Sequence, residues 1–214
     1  FRPFIKIEPM SAKDFRQHKV SIPGHTAIVF TSRHAIDHFF ALCKELRVTI
    51  PDDMKYFCVS EQVSLYIQKY VQYRKRKNFF PESGILADLM PIIAKHHNET
   101  YFVPQSSAHT DDMTRMLDEL GVEHDEAVMY YTVANDFTPD EAFDYNMLVF
   151  FSPEGIHSLI KNFPDFKQKE IKVACLGTKT IKAAEDAGLH VDYQPTPELR
   201  SVPAIIEAYA KTLK

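Results

Sequence analysis

Val29-Phe30-Thr31-Ser32-Arg33-His34-Ala35-Ile36 reads as a β-branched and aromatic strand that runs into a serine and then into a helix. Val149-Phe150-Phe151-Ser152-Pro153-Glu154-Gly155-Ile156 repeats it in the second half of the chain, sharing V-F-x-S and then a small residue and Ile at the same offsets. A second strand end follows each at similar spacing, Phe57-Cys58-Val59-Ser60 in the first half and Ala174-Cys175-Leu176-Gly177 in the second. The same order of elements twice points to two similar lobes. Short apolar strands alternating with helices are the mark of parallel βαβ units, so the fold class is α/β.

Working outward, strands are expected at residues 27–30, 56–59, 78–80, 101–103, 147–151, 173–176 and 190–193. Helices are expected at 34–46, 62–71, 84–95, 111–120, 155–161, 179–187 and 202–211, from apolar residues spaced three and four apart. Gly121 and Gly188 stand where two of these helices should stop. Two extended segments, 4–7 and 128–133, break the alternation. Each precedes a polar, turn-rich stretch, one ending at Pro23-Gly24 and one spanning 134–144, and they read as paired crossovers between lobes. On this reading residues 11–127 form a complete α/β lobe, 134–214 a second one, and 1–10 and 128–133 the linking strands. The second lobe has only three expected strands, so a further βα unit ahead of Phe1 is expected to complete it.

The chain has 214 residues, 45% of them hydrophobic, enough apolar material for one large domain or two small ones. No apolar run approaches the roughly 20 residues that span a bilayer, and no export signal is visible, so no membrane partner is expected. Cys43, Cys58 and Cys175 are odd in number, lack C-x-x-C spacing and read as buried reduced thiols, which places the protein in the cytoplasm. The net charge of −4 speaks against nucleic acid as a partner. Arg74-Lys75-Arg76-Lys77 is the local exception and reads as a solvated helix end or edge. No glycine-rich dinucleotide or phosphate loop and no G-x-S-x-G elbow is present. The side chains of His96 and His97 diverge, and no third ligand stands at metal spacing, so neither metal nor organic cofactor is expected.

In an open α/β sheet, ligands bind beyond the carboxyl ends of the strands. Ser32, with His34 just after it, and Ser152 fall there, as do Ser60, Ser106-Ser107 and Thr178-Lys179-Thr180. Each serine has two readings, a plain helix N-cap or a hydroxyl offered with the first-turn N–H groups to an anion. Taken together, such a rim suits a large ligand with several carboxylates.

Val29-Phe30-Thr31-Ser32, Val128-Met129-Tyr130-Tyr131-Thr132, Phe150-Phe151-Ser152-Pro153-x-Gly155 and Leu176-Gly177-Thr178-Lys179-Thr180 occur in an order that resembles the uroporphyrinogen-III synthases. The resemblance runs from Phe4 to the C-terminal helix. It implies two flavodoxin-like, doubly wound lobes joined by a two-stranded ladder, with the active site in the cleft between them and the N-terminal βα unit in the lobe of the C-terminal third. It implies a cofactor-free lyase that closes hydroxymethylbilane with loss of water and inversion of the terminal pyrrole, giving uroporphyrinogen III for haem biosynthesis. It places Ser32, Ser152, Gly155, Gly177 and Thr180 on cleft-lining positions and Tyr130 on the family's crossover tyrosine, the candidate proton donor. Ser60, Glu154 and Thr178-Lys179 depart from the family pattern. A monomer is expected. The alternative is a two-lobe protein that binds or senses an anionic small molecule without turnover.

Overall fold

The computed structural model describes residues 2–137, 143–196, 199 and 201–212. Part of the turn-rich stretch expected at 134–144 therefore lies outside the described residues. In chain order the elements are β1 (Ile5–Pro9), α1 (Ala12–Phe15), β2 (Ala27–Phe30), α2 (Arg33–Leu46), β3 (Lys55–Cys58), α3 (Glu61–Tyr66) and β4 (Asn78–Phe79). They continue as α4 (Leu86–Ala94), β5 (Tyr101–Ser106), α5 (Asp112–Leu120), β6 (His124–Ala134), β7 (Met147–Phe150), α6 (Pro153–Asn162), β8 (Lys172–Cys175), α7 (Thr178–Asp186) and α8 (Val202–Thr212). The chain divides into two compact units, one of residues 7–131 and one of 1–6 with 132–214.

The unit of residues 7–131 is built on a sheet in the order β1-β6-β5-β2-β3-β4. β2 is its centre, wholly buried over Ala27–Phe30, and pairs in parallel with β3 and β5. An unbroken apolar run is what a strand covered on both faces requires. Ile28 and Phe30 enter one core cluster with Ile36 and Phe39 of α2 and Val63 of α3. Ala27 and Val29 enter another with Leu89 and Ile93 of α4 and Met113 and Leu117 of α5. Helices therefore cover both faces, and the sheet is doubly wound.

The strand order corrects one expectation. Counted from β2, the parallel strands run 3-2-1-4-5, not the flavodoxin order 2-1-3-4-5. The chain lays β3 and β4 side by side on one flank of β2, then returns past it through α4 on the other face to place β5 and β6. The direction of winding reverses between β2 and β5, and the carboxyl ends of those two strands open a crevice there. β1 is the neighbour of β6, and bonds from Met10 N–H to Met129 C=O and from Asn135 N–H to Phe4 C=O show that the two run in opposite directions.

Among the described residues the other unit has a two-stranded parallel sheet, β7 with β8, packed with α6 and α7 around Leu148, Phe150, Ile156, Leu159, Val173, Cys175 and Ala184. The strand expected at 190–193 is reduced to one bridge between Ala174 and Tyr193. Cys175 N–H bonds Tyr193 C=O, and Asp192 and Tyr193 N–H both bond Val173 C=O, while the Asp192 carboxylate takes Val173 N–H in place of one further ladder bond and also accepts from Lys172 Nζ. α3 is also shorter than the expected 62–71, giving way to a 3-10 turn at Ile67–Lys69.

Candidate active site at the sheet switch point

The crevice between β2 and β5 begins with the turn from β2 into α2. Ser32 is extended (φ −158°, ψ 164°) and its Oγ accepts from Ala35 N–H at 3.1 Å, which fastens the first turn of α2. The same hydroxyl lies 3.3 Å from the phenol oxygen of Tyr130 on β6. Tyr130 reaches it because of an irregularity in the ladder: Gln105 pairs with Val128, but Ser106 pairs with Tyr130. The extra residue breaks strict alternation, so consecutive Met129 and Tyr130 both enter the core cluster that holds Ala127. Ser107 N–H then bonds Tyr130 C=O at 2.9 Å and fixes the bulge.

Tyr130 is only 6% exposed, and its ring stacks on His38 of α2, with centroids 4.9 Å apart and planes 18° from parallel. Burial raises the phenol pKa, against a smaller opposing effect of the Ser32 bond, so the phenol is protonated at neutral pH. Burial and the neighbouring His34 lower the pKa of His38, with Asp37 opposing, so that ring is neutral at the same pH. A buried proton donor thus sits at the switch point with a hydroxyl at its tip and a flat, uncharged ring beneath it. Tyr130 also lines a cavity of about 230 Å³ with Thr31, Val103, Gln105, Ser106 and His109. That volume is below the usual range for a whole ligand and fits one substituted ring. A larger hollow of about 860 Å³ lies away from the switch point, by β4, with Glu61, Glu82 and Lys75 on its wall.

The other expected rim residues of this unit are present in varied roles. His34 is exposed in the first turn of α2. Ser60 caps α3 through Val63 N–H at 3.4 Å. Ser106 ends β5, its Oγ accepting from Ala108 N–H and its carbonyl meeting His109 Nδ1 at 2.7 Å. His38 and Gln105 are additions outside the motifs, and Thr31, inside one of them, is not among the expected rim residues. Gln105 carried a signal, as the polar residue closing the apolar run 101–104, and it donates to Glu126 at 2.5 Å.

In the other unit the ends of β7 and β8 lie side by side, Phe150 opposite Cys175, which brings Ser152 and Gly177 to one rim. Gly177 is exposed with φ +115°, a backbone state that needs glycine, and Thr178 is exposed as the first residue of α7. Ser152 stands before α6 but does not cap it; its Oγ is buried and has no hydrogen-bond partner among the described residues. Pro153 occupies the first helical position and Gly155 N–H bonds the Ser152 carbonyl at 3.1 Å instead. Glu154 lies in that first turn, where a carboxylate favours the helix dipole.

Two of the expected rim residues are buried. Gly155 is buried against Phe150, and a Cβ there would stand 2.9 Å from the Phe150 ring, so the glycine serves close packing of α6 on β7. Thr180 is 2% exposed on α7, and its Oγ1 lies 3.9 Å from where a Cβ on Gly177 would stand, beside the rim. Among the described residues no group of three or more His, Cys, Asp or Glu could hold a metal ion, and no helix is long and apolar enough to cross a membrane.

A doubly wound sheet with hydroxyls and a buried phenol at its switch point defines a protein of the open-sheet α/β class. The family model described as uroporphyrinogen-III synthase HemD matches residues 1–202, and the chain belongs to that family. Its function is that of the family, the closure of hydroxymethylbilane to uroporphyrinogen III in porphyrin and haem biosynthesis. Among solved structures it is similar to the uroporphyrinogen-III synthetase of Helicobacter pylori 26695, with 15% identity, a TM-score of 0.67 and coverage of 99% of this chain and 91% of that one. It is also similar to a mutant uroporphyrinogen III synthase of the extreme thermophile Thermus thermophilus, with 11% identity, a TM-score of 0.60 and coverage of 99% and 87%. At such identities these two speak for the fold alone. No curated protein sequence matches the chain.

Proposed function

We propose that the chain acts as a cyclising hydro-lyase, that the rims of both units serve one substrate, and that Tyr130 is its proton donor. The reading rests on one observation above all: a phenol kept protonated by burial, at the switch point, bonded to a serine hydroxyl at 3.3 Å. Hydroxymethylbilane carries its own driving force, because an electron-rich pyrrole expels the terminal hydroxyl. Tyr130 would give that oxygen a proton as the C–O bond breaks and water leaves. The cation is attacked by the substituted α-carbon of the terminal ring, forming the spirocyclic intermediate, and that ring inverts before closure. The proton returns to the phenolate when the closed ring sheds its α-hydrogen, so none is gained or lost overall.

The other residues position the substrate. Ser32, Ser60 and Ser106 offer hydroxyls at one rim, with His34 beside them; Ser152, Gly177 and Thr178 do so at the other. The unpartnered Ser152 Oγ has the strongest need of a ligand, since a buried hydroxyl without a bond costs about 1–3 kcal/mol. A cytoplasmic location accords with three free, buried cysteines.

The deciding experiment incubates freshly made hydroxymethylbilane with the protein and separates the oxidised products. Type III isomer in excess over the type I isomer formed spontaneously is the expected result. Type I alone, or tight binding of a stable polycarboxylate with no turnover, would move the chain to the binding reading.

A further inference from the structure

The hydroxyl rim supplies hydrogen bonds but little positive charge, while the substrate bears acetate and propionate groups and the chain itself is net negative. One cation at the rim is held in an unusual way. Arg33, the first residue of α2 and the neighbour of Ser32, is exposed, and its guanidinium carbon lies 5.4 Å from the centre of the Tyr66 ring. That ring cannot drift, because the Tyr66 phenol donates to both oxygens of Asp37 at 3.0 Å. Asp37 also accepts from Lys69 Nζ at 2.8 Å and from the Tyr70 phenol, and Tyr70 is stacked on Phe40 at 4.6 Å. Burial pushes the Asp37 pKa up, but these three donors together bring it below its ordinary value, so the carboxylate is ionised and committed to them.

The local charge is then unbalanced in one direction. Lys69 neutralises Asp37, and Arg33 has an aromatic face but no ion pair among the described residues. A guanidinium lying over a ring keeps its N–H fork free for a planar anion, and the ring limits the freedom lost on binding. We propose that Arg33, seated on the shelf of Tyr66, Tyr70 and Asp37, is a carboxylate-binding residue that takes one acetate or propionate group of the substrate. The inference deepens the reading of the chain as a synthase working at this rim and rests on it.

The test uses the whole chain, with steady-state kinetics on hydroxymethylbilane and direct binding of two stable porphyrins, one with eight carboxylates and one with four. Arg33→Gln is expected to raise KM by about three- to tenfold, with a smaller change in kcat, and to weaken the eight-carboxylate porphyrin by a similar factor, as loss of one charge-assisted bond at an exposed site does. Arg33→Lys should recover only part, because it keeps the charge without the fork. Tyr66→Phe, which keeps the ring and cuts its tie to Asp37, should fall between. Lys44→Gln, the same loss of charge in the last turn of α2, is the control and should leave both readouts unchanged. Equal effects of Arg33→Gln and Lys44→Gln, or an Arg33→Gln protein that binds and turns over like the parent, would overturn the proposal. Absence of type III product from the parent would instead strike the synthase reading, and the porphyrin binding would still judge Arg33.

Discussion

Tyr130 has a hydroxyl partnered by Ser32 and a ring supported by His38. A sole general acid contributes roughly 10²–10⁴-fold, but a hydroxymethylpyrrole loses water readily, and bound water or Ser32 can replace the donor. Tyr130→Phe is therefore expected to lower the initial rate by about tenfold with type III still the main product; complete loss of type III product would make the phenol indispensable. Thr180→Val, beside Gly177 at the other rim, is expected to lower the rate by a comparable factor. A lowered melting midpoint with an unchanged rate would assign Thr180 to the packing of α7 instead. Gly155 makes a sharper case. A methyl group 2.9 Å from the Phe150 ring forces ring or helix to shift, and Gly155→Ala should destabilise the protein by about 1–3 kcal/mol, read as a lower denaturation midpoint at unchanged slope. An unchanged midpoint would mean that α6 can slide on β7 at no cost.

At the scale of elements, α2 shows what sequence reading can and cannot reach. Its start at Ser32, its apolar stripe through Ile36, Phe39 and Cys43, and its place after a buried strand were all legible, because caps and spacing are local. His38 was not, because its importance comes from Tyr130, which approaches it from β6 through a one-residue bulge that no local pattern marks. The same limit applies to Gly155: motif order puts it near a strand end, but only packing shows it against the Phe150 ring. The strand at 190–193 is cut to a bridge where the Asp192 side chain takes Val173 N–H, one bond that a longer ladder would have made. α2 also carries a pH dependence. The folded state lowers the His38 pKa below its ordinary value near 6.5, so the folded protein binds fewer protons there than the unfolded chain. That contribution is fully present above about pH 6.5 and is lost as pH falls toward the folded value. Replacing His38 by Phe, which keeps a flat ring against Tyr130, should shrink the difference in stability between pH 7.5 and pH 5; an unaltered difference would assign the acid sensitivity to other groups.

At the scale of the molecule, the two units are unequal. Residues 7–131 cover both faces of a broad sheet with separate apolar clusters. The unit of residues 1–6 and 132–214 has two paired strands and one cluster among the described residues, with Phe151 62% exposed and Ile206 50%. Opening free energies follow the depth of such burial. Native-state hydrogen exchange should find the amides of β2, β3 and β5 slowest and those of β7 and β8 faster by a clear margin. Equal protection in both sets would show that the molecule opens as one cooperative body.

All three cysteines are buried, and burial raises their thiol pKa, to about 12 for Cys43 and about 11 for Cys175, with Cys58 raised as well. Almost none of the thiolate that attacks a maleimide or a disulfide exists at neutral pH, and what forms is shielded. The native protein is therefore a blank background for thiol labelling. A cysteine placed at exposed Lys44, and another at exposed Lys179, would react first, so a donor and an acceptor dye could report the distance between the two units in solution as substrate is added.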